Sequence, residues 1–316
     1  MVAFTITDAN QLSNDVSYLV NTALNTIQIK KLTIQENENK KSIRPNFHVF
    51  FRMPIGSGKS TIINEVAEIC KSTVISGITR AGLIGTIDKT TQQYIAGYSW
   101  ECRNNLGLFD EMNFGRKQEG EAEFLQLLES GMYSKRFGLY SGQTEEEDGD
   151  LYFRVSKGKI DLKTRFSAVI CSMKKLELMR GQYFRALISR CNPYNYCPNI
   201  NVLSKIADGH KIYVPKKIDV PEKVIIPNKI YNQIHSYVHK ILDEEYFKHH
   251  RDEKGNELYL RSIGDVCRSY AVWNNLDRME DIVNWKIETN LLIGKYFKKD
   301  FEKEQLKGIL GATKEA

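Results

Sequence analysis

The sequence predicts an α/β fold of three layers, with helices on both sides of a parallel sheet, and three observations predict it. Short apolar runs recur at 47–51, 73–76, 106–109 and 166–171, with the length and composition of strands buried on both faces. Segments of helical periodicity precede and separate them. A glycine-rich turn joins the first of these strands directly to a helix.

From the N-terminus, residues 10–30 place Leu12, Val16, Leu19, Val20, Leu24 and Ile27 at helical spacing. Residues 33–45 are polar and read as a surface loop, so 1–45 is expected to be a helix followed by a polar loop. The core is expected over 46–191. It has helices at 59–70 and 121–130, and a β-hairpin inserted before the fourth strand. The hairpin's two strands, 131–142 and 151–160, flank an acidic turn at Glu145–Asp150. Five of the seven prolines fall in 192–227, and proline removes a donor and fixes φ, so an extended connection is expected there. In 228–316 Asn228 can cap a helix through Ile230, Ile234, Val238, Ile241 and Leu242. Helical segments near 261–275 and 278–298 follow, and the charged last stretch reads as frayed.

Composition narrows the class. Hydrophobic residues at 41% and charged residues at 27% are ordinary for a globular protein. No apolar run approaches the ~20 residues that span a bilayer, and the first residues lack a secretory pattern. A soluble protein, cytoplasmic or otherwise intracellular, with no membrane partner is expected. The net charge of +6 permits nucleic acid without requiring it. The six cysteines form no Cys-x-x-Cys pair, which speaks against a zinc ribbon or a dithiol motif.

The chemistry lies in two segments. Gly56-Ser57-Gly58-Lys59-Ser60-Thr61 follows a strand and opens a helix, the context of a phosphate-binding loop. Glycines let backbone N–H groups face phosphate, Lys59 reaches the terminal phosphates, and the Ser60 hydroxyl is a Mg²⁺ ligand. Met53 stands where the full motif has its first glycine. The second segment, Leu106 to Glu111, is a buried strand ending in two acids. Asp110 is expected to hold Mg²⁺ through water, and Glu111 to act as general base on the attacking water. ATP and Mg²⁺ are therefore the expected ligands.

These residues resemble the AAA+ superfamily, and within it the minichromosome-maintenance (MCM-like) helicase ATPases. Ile75 to Leu83 looks like the family's serine-glycine segment, and Asp110-Glu111-Met112-Asn113 is similar to its acidic box. Gly131 to Gly138 resembles the stretch leading to the inserted hairpin, and Thr164 to Ile170 the strand before the sensor position. Leu187-Ile188-Ser189-Arg190 is similar to the arginine-finger segment, and Leu260-Arg261 to the start of a lid helix. The resemblance implies a P-loop AAA+ core with a small helical lid domain, working as a homo-oligomeric ring, usually hexameric. Arg190 would enter a neighbour's nucleotide site, with Arg185 as a competing finger. Arg261 would contact the γ-phosphate from the lid, and Ser172 would stand in for the family's sensor Asn. Cys191-Asn192-Pro193 departs from the family's pattern after the finger. About 45 residues precede the core, so an ATPase without the family's N-terminal domain is expected. Hydrolysis would be coupled to nucleic-acid remodelling or translocation, with single- or double-stranded DNA as partner, in DNA replication or mobile-element biology. The hairpin's basic residues, Lys135, Arg136, Arg154, Lys157, Lys159 and Lys163, interleave with aromatics in a way suited to nucleic acid. A protein-remodelling or regulatory ATPase is the alternative.

Overall fold

The computed structural model describes residues 4–36, 39–54, 56–88, 90–91, 93–111, 120–136, 143–172, 182–243 and 254–290. Five strands pair in parallel around β4 (His48–Arg52). On one side stand β13 (Ser167–Ser172), β8 (Leu106–Asp110) and β5 (Val74–Ser76); on the other stands β14 (Cys191–Pro198). A sixth, β1 (Phe4–Ile6), extends the sheet beyond β14, again in parallel.

Strand alternation explains the layers, because successive side chains face opposite sides. Val49, Phe51, Leu108, Val169 and Tyr194 pack with α1 (Ala9–Thr26) and α2 (Lys59–Cys70). Phe50, Phe109 and Ile170 pack on the other face with α5 (Glu121–Ser130) and α6 (Gln182–Arg190). The parallel α/β sheet is thus covered on both sides. Between β5 and β8 the chain makes α3 (Arg80–Ile84), a hairpin of β6 (Gly85–Ile87) and β7 (Tyr94–Ala96), and α4 (Tyr98–Glu101).

Three expectations are corrected. The segment 33–45 is not a polar loop, because β2 (Lys31–Glu36) and β3 (Asn39–Ile43) pair there in antiparallel fashion. Leu32 and Ile34 are buried against α8 (Asn228–Ile241), α9 (Lys254–Trp273) and α10 (279–290), so this hairpin shares the core of the C-terminal helices. The inserted element is four strands rather than a hairpin: β9 (Met132–Arg136), β10 (Thr144–Asp148), β11 (Leu151–Ser156) and β12 (Lys159–Lys163). Glu145 to Asp148 form a strand because partners meet them: Arg154 lies 2.5 Å from Glu145, Trp100 Nε1 donates to Glu146 at 2.6 Å, and Arg103 lies 3.1 Å from Asp148. Residues 137–142 of the expected hairpin lie outside the described residues.

The stretch 192–227 is also more than a connection. Its first part is β14, buried beside β4, and Pro193 falls where β1 no longer covers the strand, so a missing N–H is tolerated. Next comes α7 (Ile200–Ala207), capped by Asn199, whose side chain accepts from the Val202 N–H at 2.9 Å. Residues 212–218 then run as a strap along α1. Asn21 and Asn25, one helical turn apart, bond its backbone: Asn21 takes the Lys216 N–H and gives to the Val214 carbonyl, each at 2.9 Å. Asn25 takes the Ile218 N–H at 3.0 Å and gives to the Lys216 carbonyl at 2.9 Å. Glu65 of α2 accepts from the Ile212 and Tyr213 N–H groups, both at 3.0 Å. The stretch ends in β15 (Lys223–Ile226), parallel to β2. The expected helix over 278–298 is described only to residue 290, and the expected frayed end lies outside the described residues. Among the described residues no helix is long and apolar enough to cross a membrane.

Candidate functional site

At the end of β4 the chain bends before α2 begins at Lys59. The bend needs left-handed backbone at Gly56 (φ 76°) and Gly58 (φ 81°), which glycine adopts without a Cβ clash. Ser57 Oγ donates to the Pro54 carbonyl at 2.6 Å and closes the turn. The Ile62 N–H reaches the Gly58 carbonyl at 3.1 Å, so the donors just before it have no turn of helix behind them. Gly56, Ser60 and Thr61 are exposed there. Free N–H groups and the helix dipole make such an end suited to an anion.

Lys59 is only 4% exposed, and its ammonium donates to the Asp110 carboxylate. A buried ammonium is tolerable with a carboxylate beside it. The Glu111 carboxylate lies 3.9 Å from the same nitrogen and is half-exposed. Glu111 has φ 53°, left-handed for a residue with a side chain, at a cost of about 1–2 kcal/mol. Its N–H bonds Asp110 Oδ1 at 2.8 Å, which fixes this bend at the strand end. Backbone strain of this kind clusters at functional sites.

Ser172 ends β13, the strand between β4 and β8. It is buried, and its carbonyl accepts from the Met53 N–H at 3.1 Å. Met53 itself is buried in the core, so a side chain is accommodated where the loop motif has glycine. A cavity of about 590 Å³ is lined by Ile75 to Thr79, Gly82 and Leu83, with no residue of the loop or the acidic pair in its lining; Ser76 is the neighbour of Asp110 across β5 and β8. Gly56 to Thr61, Asp110, Glu111 and Ser172 therefore gather at the C-terminal edge of the sheet, where open α/β sheets bind ligands. Met112, Asn113 and Met173 lie outside the described residues.

Arg190 and Arg261 are elsewhere. Arg190 precedes Cys191, which faces His48 at the start of β4, so a strand length of roughly 15 Å separates Arg190 from the loop. Arg261 joins it there: two of its nitrogens donate to the two oxygens of Glu129, each at 3.1 Å, and Arg190 Nε lies 2.8 Å from that carboxylate. Arg190 and Arg261 thus stand together at the N-terminal edge, apart from the chain's own loop.

The opposite edge has its own electrostatics. Burial raises the Glu129 carboxyl, and the hydrogen bond and charge of Arg261, with Arg190 and Arg44, outweigh it and hold the group below the usual carboxylate range. Arg44 donates to the Leu127 carbonyl at 2.8 Å and to Leu128; burial, then Arg268, push its guanidinium down to about 9. His48 Nδ1 accepts from the Ala168 N–H at 2.9 Å, so Nε2 carries the proton toward the Leu128 carbonyl at 3.0 Å. Burial, then Arg44, push this imidazole well below its ordinary value. Sequence reasoning missed Glu129, Arg44 and His48. They come from separate segments, and no local spacing marks them.

The inserted sheet also departs from expectation. Tyr133 and Phe153 are buried, Phe153 against Tyr94 and Trp100. Lys159 pairs with Asp161 at 2.7 Å, Lys163 with Asp150 at 3.1 Å, and Arg154 with Glu145 and Glu147. Lys135 lies 3.9 Å from Glu123.

No protein-family model matches the chain, and no curated protein does.

Proposed function

We propose that the chain is a Mg²⁺-dependent ATPase of the AAA+ kind, resembling the MCM-like helicase ATPases. In this reading it works in a ring of like subunits and couples hydrolysis to nucleic-acid remodelling or translocation. The observation that carries the reading is the buried Lys59 meeting Asp110 beneath a glycine loop at the ligand-binding edge, with the strained Glu111 alongside.

The loop N–H groups and Lys59 bind the terminal phosphates, whose oxygens replace Asp110 as the partner of the ammonium. Ser60 and Asp110 supply oxygens, the donor type Mg²⁺ takes alongside phosphate and water. When bound, the ion neutralises charge on the transferring phosphoryl group. Glu111, half-exposed beside this point, accepts a proton from the attacking water. In this reading Arg190 serves an adjacent subunit's nucleotide and Arg261 contacts the γ-phosphate from the lid, each giving up Glu129 to do so. Ser172, at the end of the strand between β4 and β8, is assigned to orient the γ-phosphate.

ATP turnover at low salt tests the proposal. Wild type should hydrolyse ATP with Mg²⁺, and Lys59→Ala should lose nucleotide binding. Turnover unchanged in Glu111→Gln would sink the base assignment. Coupling to nucleic acid draws little support from the inserted sheet, where Arg154, Lys159 and Lys163 are paired with acids and Tyr133 and Phe153 are buried. That observation favours a second reading, a protein-remodelling or regulatory ATPase. Turnover indifferent to single- and double-stranded DNA would select it.

A further inference from the structure

We infer that the sheet of β15, β2 and β3, together with the strap along α1, forms a surface that binds the phosphodiester backbone of duplex nucleic acid. The inference deepens the nucleic-acid part of the proposed function, but its evidence is charge and does not depend on hydrolysis. Residues 28–44 and 205–229 contain 11 basic and five acidic residues, a surplus equal to the net +6 of the whole chain. Outside these two segments the chain is neutral. The fold brings the segments together: β15 lies beside β2, and residues 212–218 run along α1, which leads into β2.

The cations on this surface are available. All ten of the segments' lysines are exposed, and among the described residues only Lys30 has a carboxylate partner, Glu222 at 2.6 Å. Lys31 and Lys223 occupy facing positions of neighbouring strands, where like charges repel. Folding gains nothing from that placement, whereas a bound polyanion would turn the repulsion into attraction. Lys217, and Lys216 with its ammonium 5.1 Å from the centre of the Trp273 ring, extend the surface from the strap, whose backbone is fixed by Asn21 and Asn25. Lys40, paired with Gln35 of β2, continues it at the far end of the sheet. On the inserted sheet, by contrast, Lys159, Lys163 and Arg154 are set against acids.

The chemistry selects the class of ligand. Lysine is a point charge that fits phosphate without reading sequence. The large apolar side chains exposed here are Val214 and Ile225, and neither is aromatic, so the face offers no platform for stacking unpaired bases. Contacts of this sort suit a duplex held by its backbone, with affinity that falls steeply as salt rises.

The test is fluorescence anisotropy of a labelled 30-base-pair DNA duplex of arbitrary sequence with the full chain, without nucleotide, across a salt series. Wild type should bind in the micromolar range at low salt. The quadruple variant Lys31→Gln/Lys216→Gln/Lys217→Gln/Lys223→Gln should bind at least tenfold more weakly, with the log–log salt slope reduced by about 3–4. The variant Lys135→Gln/Arg136→Gln/Lys157→Gln, on the inserted sheet, should bind within twofold of wild type. Thermal unfolding and DNA-free ATP turnover of the quadruple variant should match wild type and so separate lost contacts from lost fold. No duplex binding by wild type, equal binding by the quadruple variant, or binding only to phosphatidylserine vesicles would each overturn the inference. Duplex binding by a chain without ATP turnover would uphold it while sinking the proposed function.

Discussion

The two edges of the central sheet hold similar chemistry in different ways. At the C-terminal edge a buried lysine meets a carboxylate, and the partners come from two short segments at the ends of β4 and β8, the strands on either side of β13. At the N-terminal edge two arginines share Glu129, with Arg44 and His48 beside them, and the participants come from β4, α5, α6, α9 and the chain before β4. The first edge is open, with Ser60 and Thr61 exposed; the second already has an internal anion in place. What differs is the role each can play in one chain. On the proposed reading the first edge takes an incoming phosphate directly, and the second first gives up a carboxylate.

Replacing residues at each edge sharpens that contrast. The largest effect is expected from Arg190→Ala. In the assembled protein, turnover should fall about 10³-fold or more, the range of an arginine finger, while ATP affinity stays close to wild type. Mixing Arg190→Ala with Lys59→Ala subunits should restore part of the turnover, and full turnover by Arg190→Ala alone would make this edge structural. Next, Glu111→Gln should lower turnover by about 10²–10⁴-fold with ATP binding retained, read by single-turnover hydrolysis and by titration calorimetry.

His48→Ala should destabilise the fold by about 2–4 kcal/mol, because the Ala168 N–H and the Leu128 carbonyl lose their partner in the core. His48 also predicts a pH dependence. Its folded imidazole stays neutral well below the pH at which the unfolded one accepts a proton, near 6.5. The unfolded state therefore binds more protons over that window, and stability should fall as the pH drops below about 6.5. Urea melts between pH 7 and 5 should show this slope in wild type and a smaller one in His48→Ala. Glu129→Gln should change stability by no more than about 1 kcal/mol, since the carboxylate is 44% exposed and its pairs are screened. A larger loss in a urea melt would mean that the arginines depend on Glu129 for the fold itself.

The sequence made legible what is local. Gly56 to Thr61 and Asp110-Glu111 mark within a few residues the loop and the strand end that the fold brings together, and runs such as Val49 to Phe51 mark strands buried on both faces. The N-terminal edge could not be read, because Glu129 is an ordinary helix-end acid until α9 brings Arg261 to it. Proline density misled at β14, where Pro193 sits beyond the reach of β1. The basic and aromatic residues of the inserted sheet looked like a ligand surface, yet Glu145 and Glu147 of β10 take Arg154, Asp161 and Asp150 take Lys159 and Lys163, and the core takes Tyr133 and Phe153. Polar residues between Lys31 and Ile43 hid a hairpin whose apolar half, Leu32 and Ile34, faces helices far along the chain. The +6 charge carried no address until β15 was laid beside β2.

The amides along α1 have a kinetic consequence. Residues 212–218 belong to no helix or sheet, and such coil ordinarily exchanges its amide hydrogens within the fast fraction. Here the N–H groups of Ile212, Tyr213, Val214, Lys216 and Ile218 are each held by a side chain: Glu65, Ser17, Asn21 or Asn25. Their deuterium uptake is therefore governed by opening of the two helices that carry those side chains, and this irregular segment keeps the slow clock of the helices it crosses.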